Sequence, residues 1–153
     1  MITDQKNISV AGSNQEVTKV RYTAKTHTSG GRRGGVSCSE DGRLDVKFSA
    51  PGIPGTGTNP EQLFAAGWSA CFISAMALVA NKMNIKLPTD AAVDAEIDLC
   101  NSGDRYFLRA RLNVSLPGLE REIAQAIVDA THGETCAYSN ATRGNVEVTV
   151  KVV

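Results

Sequence analysis

The chain has 153 residues, 42% of them hydrophobic and 21% charged, with 14 Gly and 5 Pro. That length and balance fit one folded domain and exclude a disordered chain, a collagen-like repeat and a disulfide-dense scaffold. Sixteen Lys and Arg offset sixteen Asp and Glu, so no basic excess is available to neutralise phosphates or anionic lipid, and nucleic acid is not an expected partner.

The N-terminus, MITDQKNISVAGSNQE, is polar and carries both charge signs. No basic stretch precedes an apolar one, so no secretion signal is read and a reducing cytoplasm is the expected location. Residues 1–18 are expected to form a flexible extension and residues 19–153 the folded domain. Lys19 to Thr28 and Leu44 to Phe48 read as strands from their β-branched and apolar content. Between them SGGRRGG, Ser29 to Gly35, has the glycines of a flexible turn, in a spacing that matches neither a P-loop nor a dinucleotide fingerprint. Pro51 to Thr58 is a loop by composition. A helix starts next. Thr58 with Glu61 makes a capping-box pattern, and Asn59 followed by Pro60 offers an alternative N-cap with proline at N1.

Leu63 to Ala80 then runs eighteen residues without a charge, a length that raises the question of a membrane span. Six of the eighteen are Ala, and Gly67, Ser69 and Ser74 interrupt the rest. A helix buried at the centre of a soluble protein is therefore the reading, with no membrane partner expected. Beyond Pro88, Val93 to Leu99 and Leu108 to Leu116 alternate apolar and polar residues, which predicts two half-buried strands joined around Asn101 to Asp104. Leu119, Ile123, Ala126, Ile127 and Ala130 fall at helical spacing. Gly133 to Asn145 reads as a loop, and Val146, Val148, Val150 and Val152 share one face of a last strand. The order of elements is α+β.

Cys38, Cys71, Cys100 and Cys136 form no C-x-x-C pair, and with only His27 and His132 available no metal site is expected. Cys71, in the middle of the apolar helix, reads by position first as a small core hydrophobe. Cys136, in a polar segment, has less packing reason to be there. Glu61 has an ordinary reading as a cap and Arg32 as a solvated loop charge. A thiolate in apolar surroundings needs a positive neighbour, and an arginine oriented by a carboxylate supplies one. Spacing does not show that these four residues meet.

Four segments in the same order carry a resemblance. TNPEQLFAAGWSACFISA, Thr58 to Ala75, CAYSNATRGNVEV, Cys136 to Val148, and TSGGR with LPGLEREIA resemble the organic hydroperoxide resistance (Ohr) family within the OsmC superfamily. The match spans roughly Val20 to Val153. It implies antiparallel sheets wrapped around a buried central helix in an intertwined homodimer with its site at the subunit interface. It also implies a thiol peroxidase that reduces organic hydroperoxides, with no metal or bound organic cofactor, recycled by a dithiol such as the dihydrolipoyl groups of a lipoylated protein. Carried over by position, Cys71 is the peroxidatic cysteine, Cys136 the resolving one, Arg32 the guanidinium that holds the thiolate and Glu61 the carboxylate that orients Arg32. Phe64, Trp68 and Ala75 would line an apolar approach for the peroxide.

Departures from the family pattern are Arg33 where an acid is usual, Trp68 in place of Tyr, Ala137 in place of Pro, and one extra residue between His132 and Cys136. Cys38 and Cys100 match no family cysteine. Two other readings stand beside this one: an OsmC-type peroxidase with a different substrate, and a non-catalytic dimer that binds an apolar ligand.

Overall fold

A computed structural model describes residues 17–153. Most of the extension expected over residues 1–18 therefore lies outside the described residues. The strand expected from Lys19 begins only at Thr26, with exposed, irregular chain before it. Among the described residues its β-branched side chains have no neighbouring strand to pack on, and β-propensity is largely a packing preference. The first sheet is an antiparallel trio in sequence order: β1 (Thr26–Ser29), β2 (Val36–Ser39) and β3 (Asp45–Lys47). β2, with the sequence VSCS, is too short to stand out from the glycines before it.

The longest element is α1 (Pro60–Lys82). Asn59 is its N-cap, accepting the Gln62 backbone N–H on Oδ1 at 2.9 Å, with proline at N1. The capping box of Thr58 and Glu61 does not form, because Thr58 instead donates its hydroxyl to Gln62 Oε1 and Glu61 turns to Arg32. By length and composition α1 could cross a membrane. One side of it instead buries Trp68, Phe72, Ala75, Met76, Val79 and Ala80 in a protein core. Ala66, Ala70, Ser74, Ala77 and Leu78, on the other side, are exposed in the single chain.

The core is completed by a second sheet and helix α2 (Arg121–Ala130). β4 (Ala92–Ser102) and β5 (Arg105–Ser115) form an antiparallel hairpin closed by Gly103 and Asp104. Gly103 has φ of +58°, the left-handed geometry that two-residue hairpin turns require. The register pairs Val93 with Val114, Ala95 with Leu112 and Ile97 with Ala110, which puts the apolar set on one face. On the other face Asp98 pairs with Arg109 and, through both oxygens, with Arg111.

β6 (Glu147–Val152) lies beside β5 and parallel to it. The second sheet thus adds one parallel pair to the expected antiparallel pairing. The reason is the helical crossover between β5 and β6, which returns the chain to the end from which β5 started, as parallel pairing demands. That crossover also corrects the expected loop over 133–145. After α2 comes a π-turn (Thr131–Thr135) and then α3 (Ala137–Thr142), a short helix built from small polar residues.

Ile127 is fully buried between α1, α2 and the sheet. Ile127→Ala should lower the unfolding free energy by about 2–5 kcal/mol, measured by urea titration.

Candidate active site

The loop that carries Arg32 is built by glycines. Gly30 and Gly31 take φ of +75° and +64°, a region open to glycine at little cost. Gly35 passes so close to the chain that a Cβ there would run into the carbonyl oxygens of Ser29 and Gly31. The loop is then stitched to the start of α1. Gly34 N–H donates to the Phe48 carbonyl and Phe48 N–H to that of Gly35, while Phe48 bridges Thr58, directly before the N-cap. This framework brings Arg32 onto Glu61 in the first turn of α1.

The pair is bidentate, Nη2 to Oε1 at 2.8 Å and Nη1 to Oε2 at 3.1 Å. Glu61's side chain is only 13% exposed, against 38% for Arg32. The guanidinium hydrogen bonds hold the Glu61 carboxyl below its ordinary range, against the opposing effect of burial. Arg33 is exposed and makes no ion pair among the described residues.

The two predicted cysteines meet. The Cys136 thiol donates to Cys71 Sγ at 3.6 Å, van der Waals contact between unbonded sulfurs. Cys71 is half-buried in α1, whereas Cys136 is fully buried. Packing therefore does account for Cys136, contrary to the expectation from its polar segment. Burial pushes the Cys136 thiol up, opposed by the backbone N–H and hydroxyl of Ser139 and reinforced by Cys71. Burial thus favours the protonated form of Cys136, and Cys71 is the thiol a solute can reach. The segment before Cys136 is a π-turn, in which Cys136 N–H reaches back five residues to the Thr131 carbonyl at 2.9 Å, a wider ring than that of an α-helix. Ala137 occupies N1 of α3, a position at which proline and alanine are both accepted.

The structure does not bring the two pairs together within one chain. Glu61 and Cys71 lie ten residues apart on one straight helix, roughly 15 Å at 1.5 Å per residue. The hydrogen bonds of the Arg32 side chain among the described residues go to Glu61. A cavity of about 530 Å³ opens at this ion pair, walled by Asn59, Ala65, Ala95, Ile97 and Leu99. Phe64, Trp68 and Ala75 do not line it. Trp68 and Ala75 are core residues, and Phe64 packs edge-on to Trp68 and Tyr138.

Residues that sequence reading passed over hold the thiol pair in place. Ser139, fully buried, accepts the Trp68 indole N–H at 3.2 Å and shares a hydrogen bond of 3.0 Å with His132 Nδ1. Tyr138 lies against Gly67, where a Cβ would come within 2.7 Å of its hydroxyl. A small residue one turn before Cys71 was the available signal for this close approach. Cys38 lies on β2 and Cys100 on β4, both with free thiols. Among the described residues no cluster of three or more His, Cys, Asp or Glu side chains is placed to hold a metal.

The family model for OsmC-like proteins matches residues 53–151. An organic hydroperoxide resistance protein of Xanthomonas axonopodis pv. citri is 43% identical over 136 residues, covering 86% of this chain and 94% of that protein. The organic hydroperoxide resistance protein OhrB of Bacillus subtilis is 42% identical, with 86% and 97% covered. Its crystal structure superposes with a TM-score of 0.78 over 86% of this chain and 98% of that one, at 41% identity. An organic hydroperoxide resistance protein of Legionella pneumophila gives a TM-score of 0.81 at 40% identity, covering 88% and 98%.

The cap and the ion pair can be separated. Asn59→Ala should destabilise the protein by about 1 kcal/mol, while Glu61→Gln leaves the cap intact. Because the Glu61 titration is depressed, the pair's contribution is present above the ordinary Glu value of about 4.3 and is lost only as pH falls through the lower, folded value. Carboxyl-carbon NMR should show Glu61 titrating below that ordinary value in the native protein. In Arg32→Ala it should titrate higher than in the native protein, since burial is then opposed only by the backbone hydrogen bond at Glu61.

Proposed function

Because the chain belongs to the OsmC-like family and stands among its organic hydroperoxide resistance proteins, we propose that it is a thiol peroxidase that reduces alkyl or fatty-acid hydroperoxides to alcohols. The observation that carries this reading is the contact of an accessible thiol with a buried, proton-donating one, Cys71 and Cys136 at 3.6 Å. The Cys136 S–H stabilises negative charge on the Cys71 sulfur, which is the form that attacks. Cys71 takes the terminal peroxide oxygen, the O–O bond breaks, and the alkoxide leaves to be protonated to the alcohol. Cys136 condenses with the resulting sulfenic acid, water departs and a Cys71–Cys136 disulfide forms. A dithiol such as a dihydrolipoyl group of a lipoylated protein returns both thiols by exchange, in a reducing cytoplasm and without a metal or bound organic cofactor.

Arg32 and Glu61 enter through a second copy. In this reading the chain acts as a homodimer in which the Arg32–Glu61 pair of one copy faces the Cys71 of the other and steadies its thiolate. The separation of roughly 15 Å along α1 favours that arrangement over a site within one chain. The exposed small and apolar side of α1, and the full exposure of β1, are surfaces such a partner would cover.

One equivalent of tert-butyl hydroperoxide should convert the reduced protein to the Cys71–Cys136 disulfide, seen by peptide mapping. In Cys136→Ser, Cys71 should instead pass to higher oxides under excess peroxide. Cys136 left free, with Cys71 joined to Cys38 or Cys100, would remove the assignment of the resolving thiol.

The shared site has its own test. Arg32→Ala and Cys71→Ser should each be severely impaired alone. Unfolded and refolded together, they should regain activity, because a mixed dimer holds one complete site. No recovery from the mixture would place the site within one chain.

A further inference from the structure

Where a helix ends, its last carbonyl oxygens have no partners inside the helix and must be met from elsewhere. In the π-turn that closes α2, they are met by the chain that carries the buried thiol. The Thr131 carbonyl accepts the Cys136 N–H at 2.9 Å. Those of His132 and Gly133 both accept from Arg143 Nη2 at 2.7 Å, whose two N–H groups suffice for the pair. The Glu134 carbonyl accepts from Asn140 Nδ2 at 2.9 Å. Asn140 also donates its backbone N–H to the Cys136 carbonyl at 2.9 Å, so it grips the chain two residues before the thiol and at the thiol itself.

Arg143 and Asn140 are both exposed, and neither belongs to the hydrophobic core. What depends on them is the bend between the π-turn and α3. Cys136 is the one extended residue at that bend, with φ of −75° and ψ of 119°. Its sulfur lies 3.6 Å from that of Cys71. About 1.5 Å remains to the bonded distance of about 2.05 Å. Two N–H bonds on one planar guanidinium nitrogen diverge in fixed directions, so holding two successive carbonyls fixes the orientation of the π-turn as well as its distance. A cation at the C-terminal end of α2 is also favoured by the helix dipole.

We propose that Arg143 and Asn140 are positioning residues for the resolving step: by tying the π-turn to α3 across Cys136, they hold its sulfur against Cys71 and set how fast the disulfide forms relative to further oxidation. This rests on the peroxidase reading and adds residues to its second step. In that step the Cys136 sulfur bonds to the Cys71 sulfur of the sulfenic acid, the Cys71 S–O bond breaks, and the departing hydroxide leaves as water with the proton that Cys136 gives up. The competing path consumes a second hydroperoxide, whose O–O bond breaks to deliver one oxygen to Cys71 as sulfinic acid and release the alcohol. Only the first path needs Cys136 in place, and a misplacement of about 1 Å can slow a step by roughly 100-fold.

The test mixes reduced protein with tert-butyl hydroperoxide, without a reductant, in a quench-flow instrument. Loss of the Cys71 thiol is followed by alkylation, sulfenic acid by dimedone capture, and the disulfide and sulfinic acid by mass spectrometry. In Arg143→Gln and in Asn140→Ala, Cys71 should be consumed at the native rate, while the disulfide forms roughly 10- to 100-fold more slowly and sulfinic acid appears at correspondingly lower peroxide. Arg143→Lys, whose ammonium can still donate to both carbonyls, should stay closer to the native protein than Arg143→Gln. A general loss of structure would slow both steps alike and lower the urea midpoint. That pattern overturns the proposal, as does a native ratio of disulfide to sulfinic acid in either folded variant. Asn140→Ala places a good helix former in α3, so it decides the matter if Arg143→Gln does not fold. A native protein that forms neither sulfenic acid nor disulfide would instead overturn the peroxidase reading beneath it.

Discussion

A helix with eighteen uncharged residues in succession cannot turn every side to water, and the arrangement of this chain follows from that constraint. The hairpin β4–β5 and helix α2 shelter the side that carries Trp68, Phe72 and Met76. Burying aromatic and aliphatic side chains of that size stabilises by roughly 1.5–3 kcal/mol each, enough to fix the helix firmly on the sheet. Because α1 is fixed, the two chemical groups it bears, Glu61 in its first turn and Cys71 near its middle, are held at a constant separation along one rod. The remaining elements bring a partner to each: a glycine loop sets Arg32 on Glu61, and α3 sets Cys136 on Cys71.

The two partnerships differ in character. Arg32 and Glu61 are joined by strong, directional hydrogen bonds in a site half open to solvent, where water screens part of the attraction. Cys136 is held by packing and by backbone geometry, with Ser139 tying the indole of α1, the imidazole of the π-turn and the first turn of α3 to one oxygen. Fully satisfied buried networks of this sort specify a single arrangement. Here that arrangement is two sulfurs in contact, one buried and the other open to approach.

Much of the fold was legible in the sequence where a single periodicity ran long enough. The alternation in Val93 to Leu99 and Leu108 to Leu116 gave the hairpin, and the spacing of Leu119 to Ala130 gave α2. Asn59–Pro60 marked the start of α1 as well as any pattern could, although Thr58 and Glu61 satisfied the capping-box rule on paper. What decided against the box was a tertiary competitor, since an arginine offers a carboxylate two hydrogen bonds and a full charge. Short elements escaped for lack of periodicity: β2 has four residues and α3 six. The parallel pairing of β6 was invisible because it depends on where the crossover returns the chain. At the site, Cys71 and Cys136 were legible through their motifs. Ser139 and Tyr138 were not, since their importance lies in contacts with residues some seventy positions away.

The unequal burial of the two thiols gives the proposed cycle a direction. In the disulfide, an incoming dithiol meets the Cys71 sulfur, because the Cys136 sulfur lies behind it within the core. Attack there makes Cys136 the leaving group, a buried thiolate that departs slowly unless it is met by a proton. The external reductant is thereby confined to a mixed disulfide with Cys71 alone. In such a cycle bulky or rigid thiols that cannot approach the middle of a helix would be poor reductants whatever their potential, and selectivity among dithiols would be a matter of reach.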